Sequence, residues 1–319
     1  MKLEDIGFYT LSDSRAEYAT EKTPLTRCEL ILTGRCNFKC PYCRAVGGPD
    51  LPIIDASKIL NGWTDEGLNN VRFSGGEPTL YQDLNVLVKH CSRHNVNRIA
   101  ISTNGSASYD VYAKLVDSGV NDFSISLDSC CAKYGDLMSG TSGHWDTVVD
   151  NIQRLSSLTY VTAGIVITND NLDSVYDIVK FADKLGVSDI RIIPAAQYSA
   201  KLSEIELLEI SRNPILEYRI NNAHKGIAVR GLADSDSNRC GLVLDDMAVQ
   251  GNYHYPCIIY MREGGSPIGR MDTGNIRQER LNWLLEHNTH SDKICRHNCL
   301  DVCRDYNNTF DRINRKYKI

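Results

Sequence analysis

Apolar positions along the first two thirds of the chain alternate between two periods. Short β-branched runs at residues 29–33, 70–74, 98–103, 122–128, 161–168 and 189–194 predict six strands. Between them apolar residues recur three and four apart, as in Trp145, Val148, Val149, Ile152 and Leu155. That spacing predicts amphipathic helices over 81–94, 109–118, 145–156 and 172–185. Strand and helix alternating at this interval imply parallel β/α units. Six units fall short of the eight of a closed barrel. The expected fold is therefore α/β, a partial (β/α)6 barrel with an open sheet and its chemistry at the C-terminal strand ends.

Beyond residue 200 the pattern changes. A polar helical stretch over 201–224 and an apolar run at 226–232 lead to a segment rich in Asp and Ser, 233–239. We expect a division there, giving an N-terminal segment 1–27, a barrel 28–232 and a small cysteine-rich extension 233–319. Within the extension a glycine-rich segment at 263–267 precedes a final helix near 278–286.

A chain of 319 residues suffices for one large core plus an appendage. Its formal charge of -5, from 35 basic and 40 acidic side chains, argues against a nucleic-acid grip through many phosphates. The basic run at 312–318 reads as a solvated end. No apolar run is long enough for a bilayer, and the N-terminus lacks the regions of a secretory signal. The expectation is a cytoplasmic protein without membrane contact, whose thiols stay reduced. Its 12 cysteines are clustered: Cys36, Cys40 and Cys43 near the start, and Cys240, Cys257, Cys295, Cys299 and Cys303 near the end. In a reduced chain such clusters favour metal centres over disulfides. Cys28 and Cys91 read as core.

Cys36-Asn-Phe-Lys-Cys40-Pro-Tyr-Cys43 follows directly on the first strand. Pro41 disfavours helical geometry at Cys40, so the segment reads as a loop wrapped around a compact group. Three thiolates can hold three irons of a [4Fe–4S] cube and leave the fourth iron open. Structural zinc, the alternative, normally takes four ligands.

This CxxxCxxC segment resembles the signature of the radical S-adenosylmethionine (SAM) superfamily. Phe73-Ser-Gly-Gly-Glu-Pro78 resembles the family's GGEP motif. Supporting segments end the third strand (Ile101-Ser-Thr-Asn-Gly105), the fourth (Ser124-Ile-Ser-Leu-Asp128) and the sixth (Arg191-Ile-Ile-Pro194). The resemblance covers about residues 26–200. It implies that Cys36, Cys40 and Cys43 bind a [4Fe–4S] cluster whose open iron is chelated by SAM. Gly75 and Gly76 would let the backbone approach the methionine moiety, and Glu77 would take its ammonium. Ser102 and Asn104 would bond the ribose, and Ser126 the carboxylate. Tyr42 would sit by the adenine, with Ile193 and Pro194 opposite. For Ser102, Asn104 and Ser126 ordinary turn chemistry is the competing explanation. Reductive cleavage of SAM would give a 5′-deoxyadenosyl radical that takes a hydrogen atom from the substrate.

The second cysteine group resembles the C-terminal extension called SPASM or, shortened, twitch. It implies one auxiliary [4Fe–4S] cluster, with Cys240 and Cys257 as first ligands and the rest drawn from Cys295, Cys299 and Cys303. A zinc site with His297 is the alternative; His254 reads as structural. Cys130 and Cys131 follow the fourth strand, where Cys130 is a candidate hydrogen-atom donor beside its reading as a packed small residue. Related architectures include peptide maturases, sugar and cyclitol dehydrogenases, sugar epimerases and nucleotide cyclases. With about 27 residues before the first strand, no leader-binding domain is expected, which lowers the peptide reading without removing it. The leading expectation is therefore oxidation or epimerisation of a small polar substrate, a sugar, cyclitol or nucleoside. A maturase of a ribosomally made peptide and a non-catalytic iron–sulphur or zinc protein are the alternatives. A flavodoxin or ferredoxin would supply the electron.

Overall fold

The computed structural model describes residues 15–44, 46–195 and 213–314. The expectations for 1–14, for 201–212 and for the basic tail from 315 lie outside the described residues.

Each predicted strand forms, because each carries an apolar face that helices can cover. β1 (Arg27–Thr33) sends Cys28, Leu30 and Leu32 into the core, and β2 (Asn70–Gly75) adds Val71 and Phe73. β3 (Arg98–Thr103), β4 (Asp122–Ser126), β5 (Tyr160–Ile167) and β6 (Asp189–Pro194) continue in parallel register. The short helix α1 (Arg15–Tyr18) precedes β1, and a helix absent from the sequence prediction, α2 (Ile53–Glu66), crosses from β1 to β2. It buries Ala56, Ile59, Leu60 and Trp63 at helical spacing and ends on Gly67 in left-handed geometry. Then come α3 (Leu84–Arg93), α4 (Tyr109–Ser118), α5 (Ala132–Ser139), α6 (Trp145–Ser156) and α7 (Val175–Lys184). Each fully buried Leu, Ile or Phe on these faces contributes about 1.5–3 kcal/mol.

The alternate strand positions face inward, and there the strands are polar. Arg27 and Glu29 on β1, Arg72 and Ser74 on β2, and Ser102 on β3 line one interior chamber with Arg191 and Ile193 of β6. Arg98 and Asp122 follow the same alternation on β3 and β4. Asp122 pairs with both Arg72 (3.5 Å) and Arg98 (3.7 Å), which keeps these buried charges partly compensated.

The sheet does not stop at the expected boundary near residue 233. After α8 (Pro214–His224) the chain returns as β7 (Asp246–Gln250), which pairs in parallel with β1. β8 (Tyr253–Tyr255) and β9 (Gly269–Arg270) follow antiparallel, completing an open nine-stranded sheet, β6-β5-β4-β3-β2-β1-β7-β8-β9. The extension thus prolongs the barrel sheet instead of standing apart from it. The helix expected as the last, α10 (Ile276–Glu286), is followed by α11 (Lys293–Asn298) and α12 (Asp301–Ile313), and α9 (Ile258–Arg262) precedes it. Among the described residues no helix is long and apolar enough to cross a membrane.

Candidate active site

The loop bearing Cys36, Cys40 and Cys43 leaves β1 at the C-terminal edge of the sheet and is docked on three sides. Gly76 N–H donates to Thr33 O and Glu77 N–H to Arg35 O, both at 2.8 Å. A Cβ on Gly75 would stand 2.4 Å from Thr33 O, and one on Gly76 2.2 Å from Arg35 O. The two glycines therefore serve the contact between the β1 and β2 loops. Both also line the cavity, where the expectation of a close approach to a ligand places them. On the far side Lys39 N–H donates to Ser139 O (2.8 Å), and a Cβ on Gly140 would meet Lys39 O at 2.3 Å. Asp50 holds the loop's base, accepting from Thr33 Oγ1 at 2.6 Å and pairing with Arg35 at 2.6 Å.

The three cysteines line one cavity with Tyr42, Gly75, Gly76, Ser102, Asn104 and Ser126. Burial pushes the Cys40 thiol up to about 12 and raises Cys36 as well. Metal loading must displace those protons. The three sulphurs are not gathered within the 4.8 Å that marks a single-ion group; among the described residues only His287, Asp292 and Cys295 are. Around one zinc, with bonds of about 2.3 Å, the sulphurs would have to close up. The wider spread fits a cluster held by three thiolates.

Other expected site residues have partners of their own within the protein. Glu77 is fully buried beside the cavity and does not line it. Its carboxylate accepts from Thr79 N (3.0 Å), Thr79 Oγ1 (2.7 Å), Thr103 Oγ1 (2.8 Å) and Asn104 N (2.7 Å). Three of these donors meet Oε1 and one meets Oε2, and through them the carboxylate braces the β2 and β3 loops. Asn104 lines the cavity, and its Nδ2 donates to Asn37 Oδ1 at 2.8 Å, tying the third strand's end to the cysteine loop. Cys130 is half-buried, packs against the main core and is not among the cavity's lining residues. The Tyr42 hydroxyl donates to Asp128, whose other oxygen accepts from Val166 N at 2.6 Å. Burial raises the Asp128 carboxyl to about 6. In the sequence the only signal for Asp128 is a charged residue ending the apolar fourth-strand segment.

A second lobe adjoins the first and shares Tyr42, Cys43, Ser74, Ser102, Arg191 and Arg262 with it. Ile193 and Pro194 line this lobe, and Ile258, Ile259 and Leu300 from the extension close it. Ile259 and Leu300 also line a third cavity, into which all five C-terminal cysteines converge. Burial raises Cys240 to about 11 and pushes Cys257 well above its usual range, while the hydrogen bond between Cys299 and Cys303 does the same for Cys299. His297 is exposed, with Nδ1 against Lys293 O at 2.8 Å, and takes no part. The histidine beside this group is His287, 3.8 Å from Cys295 Sγ. His254 is structural as expected: fully buried, with Nε2 at 2.8 Å from Glu279 and Nδ1 accepting from Arg280.

An open parallel β/α sheet with a docked three-cysteine loop at its C-terminal edge defines an iron–sulphur protein of the partial-barrel class. Residues 30–182 match the profile of the Radical SAM superfamily, and the chain carries that domain. Its cofactors are accordingly a [4Fe–4S] cluster and SAM. The probable GTP 3′,8-cyclase of Pyrococcus abyssi is 27% identical over 168 residues, covering 51% of this chain and 54% of that protein. The GTP 3′,8-cyclase of Rhodopseudomonas palustris is 27% identical over 173 residues, or 49% of this chain and 48% of the other. The chain thus spans about half the length of these relatives. Among solved structures, Streptococcus suis SuiB bound to its precursor peptide SuiA gives a TM-score of 0.62 at 16% identity over 86% of this chain and 67% of that one. The protein anSMEcpe with AdoMet and the Cp18Cys peptide gives 0.60 at 15% identity, over 92% and 96%. At such identities these likenesses speak to the fold alone.

Proposed function

We propose that the protein is a radical SAM enzyme that oxidises or epimerises a small polar substrate, a sugar, cyclitol or nucleoside, held between two metal sites. One observation carries this function: the second lobe lies between Cys43 on one side and the cavity of the C-terminal cysteines on the other, with Ile259 and Leu300 as the shared wall. Cys36, Cys40 and Cys43 would hold the SAM-binding cluster. Cys240, Cys257, Cys299 and Cys303 would hold the auxiliary one, with Cys295 at its rim beside His287 and Asp292. When bound, these groups supply one-electron cleavage of a carbon–sulphur bond of SAM, removal of a substrate hydrogen atom and an electron acceptor.

This chain's own residues supply position and exclusion. Tyr42, fixed through Asp128, forms the partition between the two lobes. Ser102 lines both lobes and Ser126 the SAM lobe, where each offers a hydroxyl. Ile193, Ile258 and Leu300 present apolar surface that keeps water from the reacting carbon. With Cys130 packed against the core and outside the cavity lining, oxidation is favoured over an epimerisation quenched by that thiol. The nucleoside option gains weight from relatives named for a reaction of GTP. The electron would come from a flavodoxin or ferredoxin.

The test is anaerobic reconstitution followed by dithionite and SAM. Two cubanes predict about eight irons per chain and formation of 5′-deoxyadenosine, abolished in Cys40→Ala. Bound zinc without iron, and no SAM cleavage, would leave the non-catalytic alternative standing.

A further inference from the structure

Seven arginines line the second lobe, on β1, β2, β6, α8, α9 and the loops after Cys43 and before Leu232. Four of them are answered by carboxylates: Arg27 by Asp246 (3.9 Å), Arg44 by Glu263, Arg72 by Asp122 and Arg219 by Asp301 (3.0 Å). Arg191, Arg230 and Arg262 pair with no carboxylate among the described residues. Glu29, across the sheet register from Arg72, is the only acidic residue lining the lobe among the described residues. Arg191 donates Nη2 to Ser124 Oγ (3.0 Å), Arg230 donates Nε to Pro194 O (2.9 Å), and Arg262 donates Nη2 to Ser74 Oγ (3.1 Å). These neutral acceptors aim the guanidiniums without cancelling their charge. Arg191 Nε and Arg230 Nη1 are buried with no hydrogen-bond partner among the described residues. Gly164, opposite Arg191 in the sheet, makes room for it: a Cβ there would stand 3.3 Å from Nη2.

Guanidinium stays charged in proteins, so an interior surplus of this kind is costly unless an anion completes it. We infer that Arg191, Arg230 and Arg262 seat a phosphate group of the substrate, making the substrate a phosphorylated small molecule. A carboxylate, such as that of SAM, offers two oxygens and is satisfied by one bidentate arginine. A phosphate offers three oxygens and up to two charges, which suits three forks arriving from a strand, a loop and a helix. The inference rests on the proposed function and narrows its substrate class.

Inorganic pyrophosphate is the probe, titrated calorimetrically into the reconstituted, SAM-loaded protein. Saturable binding is expected, weakened at least about tenfold in Arg191→Gln and in Arg230→Gln, with iron content unchanged in both and SAM affinity unchanged in Arg230→Gln, whose side chain lines the second lobe alone. Arg230→Lys, which keeps the charge, should retain part of the affinity and serves if a Gln variant fails to fold. The inference is overturned if wild type does not bind pyrophosphate, or if binding survives both substitutions. It is also overturned if pyrophosphate competes with SAM and the variants lose SAM, for then the arginines hold the SAM carboxylate. A shift of the cluster's potential with no pyrophosphate bound would assign them instead to balancing the cluster's charge. SAM cleavage without pyrophosphate binding sinks this inference alone, whereas no SAM cleavage sinks the function on which it rests.

Discussion

Gly76 has no room for a methyl group, because the atom in the way is the Arg35 carbonyl oxygen, and Arg35 is itself anchored through Asp50. Gly76→Ala should therefore cost about 1–3 kcal/mol by overpacking, a fall in Tm of about 2–4 °C for each kcal/mol. The iron held by the Cys36 loop should fall with it. An unchanged melting temperature with full iron content would show that the two loops do not depend on this contact. Asp189 at the start of β6 makes a different kind of prediction. Burial raises its carboxyl from 3.8 to about 6, against hydrogen bonds from Ile190 N, Ile215 N and the Tyr160 hydroxyl. A raised acid is a cost that is absent below its unfolded value and complete above its folded one. The stability of wild type relative to Asp189→Asn should thus decline as pH rises from about 4 to about 6, by about 3 kcal/mol at most, and then level off. Denaturant titrations at several pH values measure it, and a pH-independent difference would refute it.

At the scale of elements, what was legible in the sequence follows from which face each element buries. The β/α alternation was readable because Leu30, Phe73, Ile101, Ile125 and Ile165 report the helix-covered side of their strands. The arginine-lined interior was not readable, since Arg27, Glu29 and Arg72 at alternating strand positions look like a solvated face until the sheet curves around them. Nor were α11 and α12. Helix α12 turns polar side chains inward, where Arg304 bonds Gly231 O and Ala228 O at 2.8 Å each and Asn307 receives Leu242 N–H at 3.0 Å. Its apolar face, Val302, Tyr306 and Phe310 four apart, is amphipathic, but the cysteines interleaved with it read first as a ligand cluster. Arg280 on α10 is the sharpest case. It is 1% exposed and donates to Val243 O at 2.7 Å, Tyr255 O at 3.0 Å and Asp246 O, joining α10 to both sides of the β7–β8 hairpin. Arg280→Leu leaves those carbonyls unpaired, at about 1–3 kcal/mol each where water cannot reach. We expect the extension to loosen first, so that reconstituted iron falls from about eight to about four while the Cys36 loop keeps its share. Loss of all iron at once would mean that β7 is indispensable to β1 and to the loop it carries.

Across the whole molecule the same strand serves both cysteine groups. β1 launches the Cys36 loop at its end and pairs along its length with β7, behind which the five C-terminal thiols gather. The clustering of cysteines at two ends of the chain was plain in the sequence, but their separation by a charged lobe was not, because nothing in the spacing relates Leu300 to Cys43. That arrangement predicts separable roles. Cys257 caps α9, accepting from Tyr260 N at 3.4 Å, and faces Cys240 and Cys303 across their common cavity. Cys257→Ala should remove about four irons, the auxiliary cluster's complement, and leave the Cys36, Cys40 and Cys43 site intact. SAM cleavage in the absence of substrate depends only on that second set, so 5′-deoxyadenosine should still form at a rate close to wild type. Product formation should vanish once the substrate is in hand, because the electron released from it has nowhere to go. Iron analysis and a 5′-deoxyadenosine assay on the same preparation decide the first half of this. If Cys257→Ala abolished SAM cleavage while keeping four irons, the two sites would be coupled through the lobe that Ile259 and Leu300 wall, and the auxiliary group would be acting on SAM instead of on the substrate.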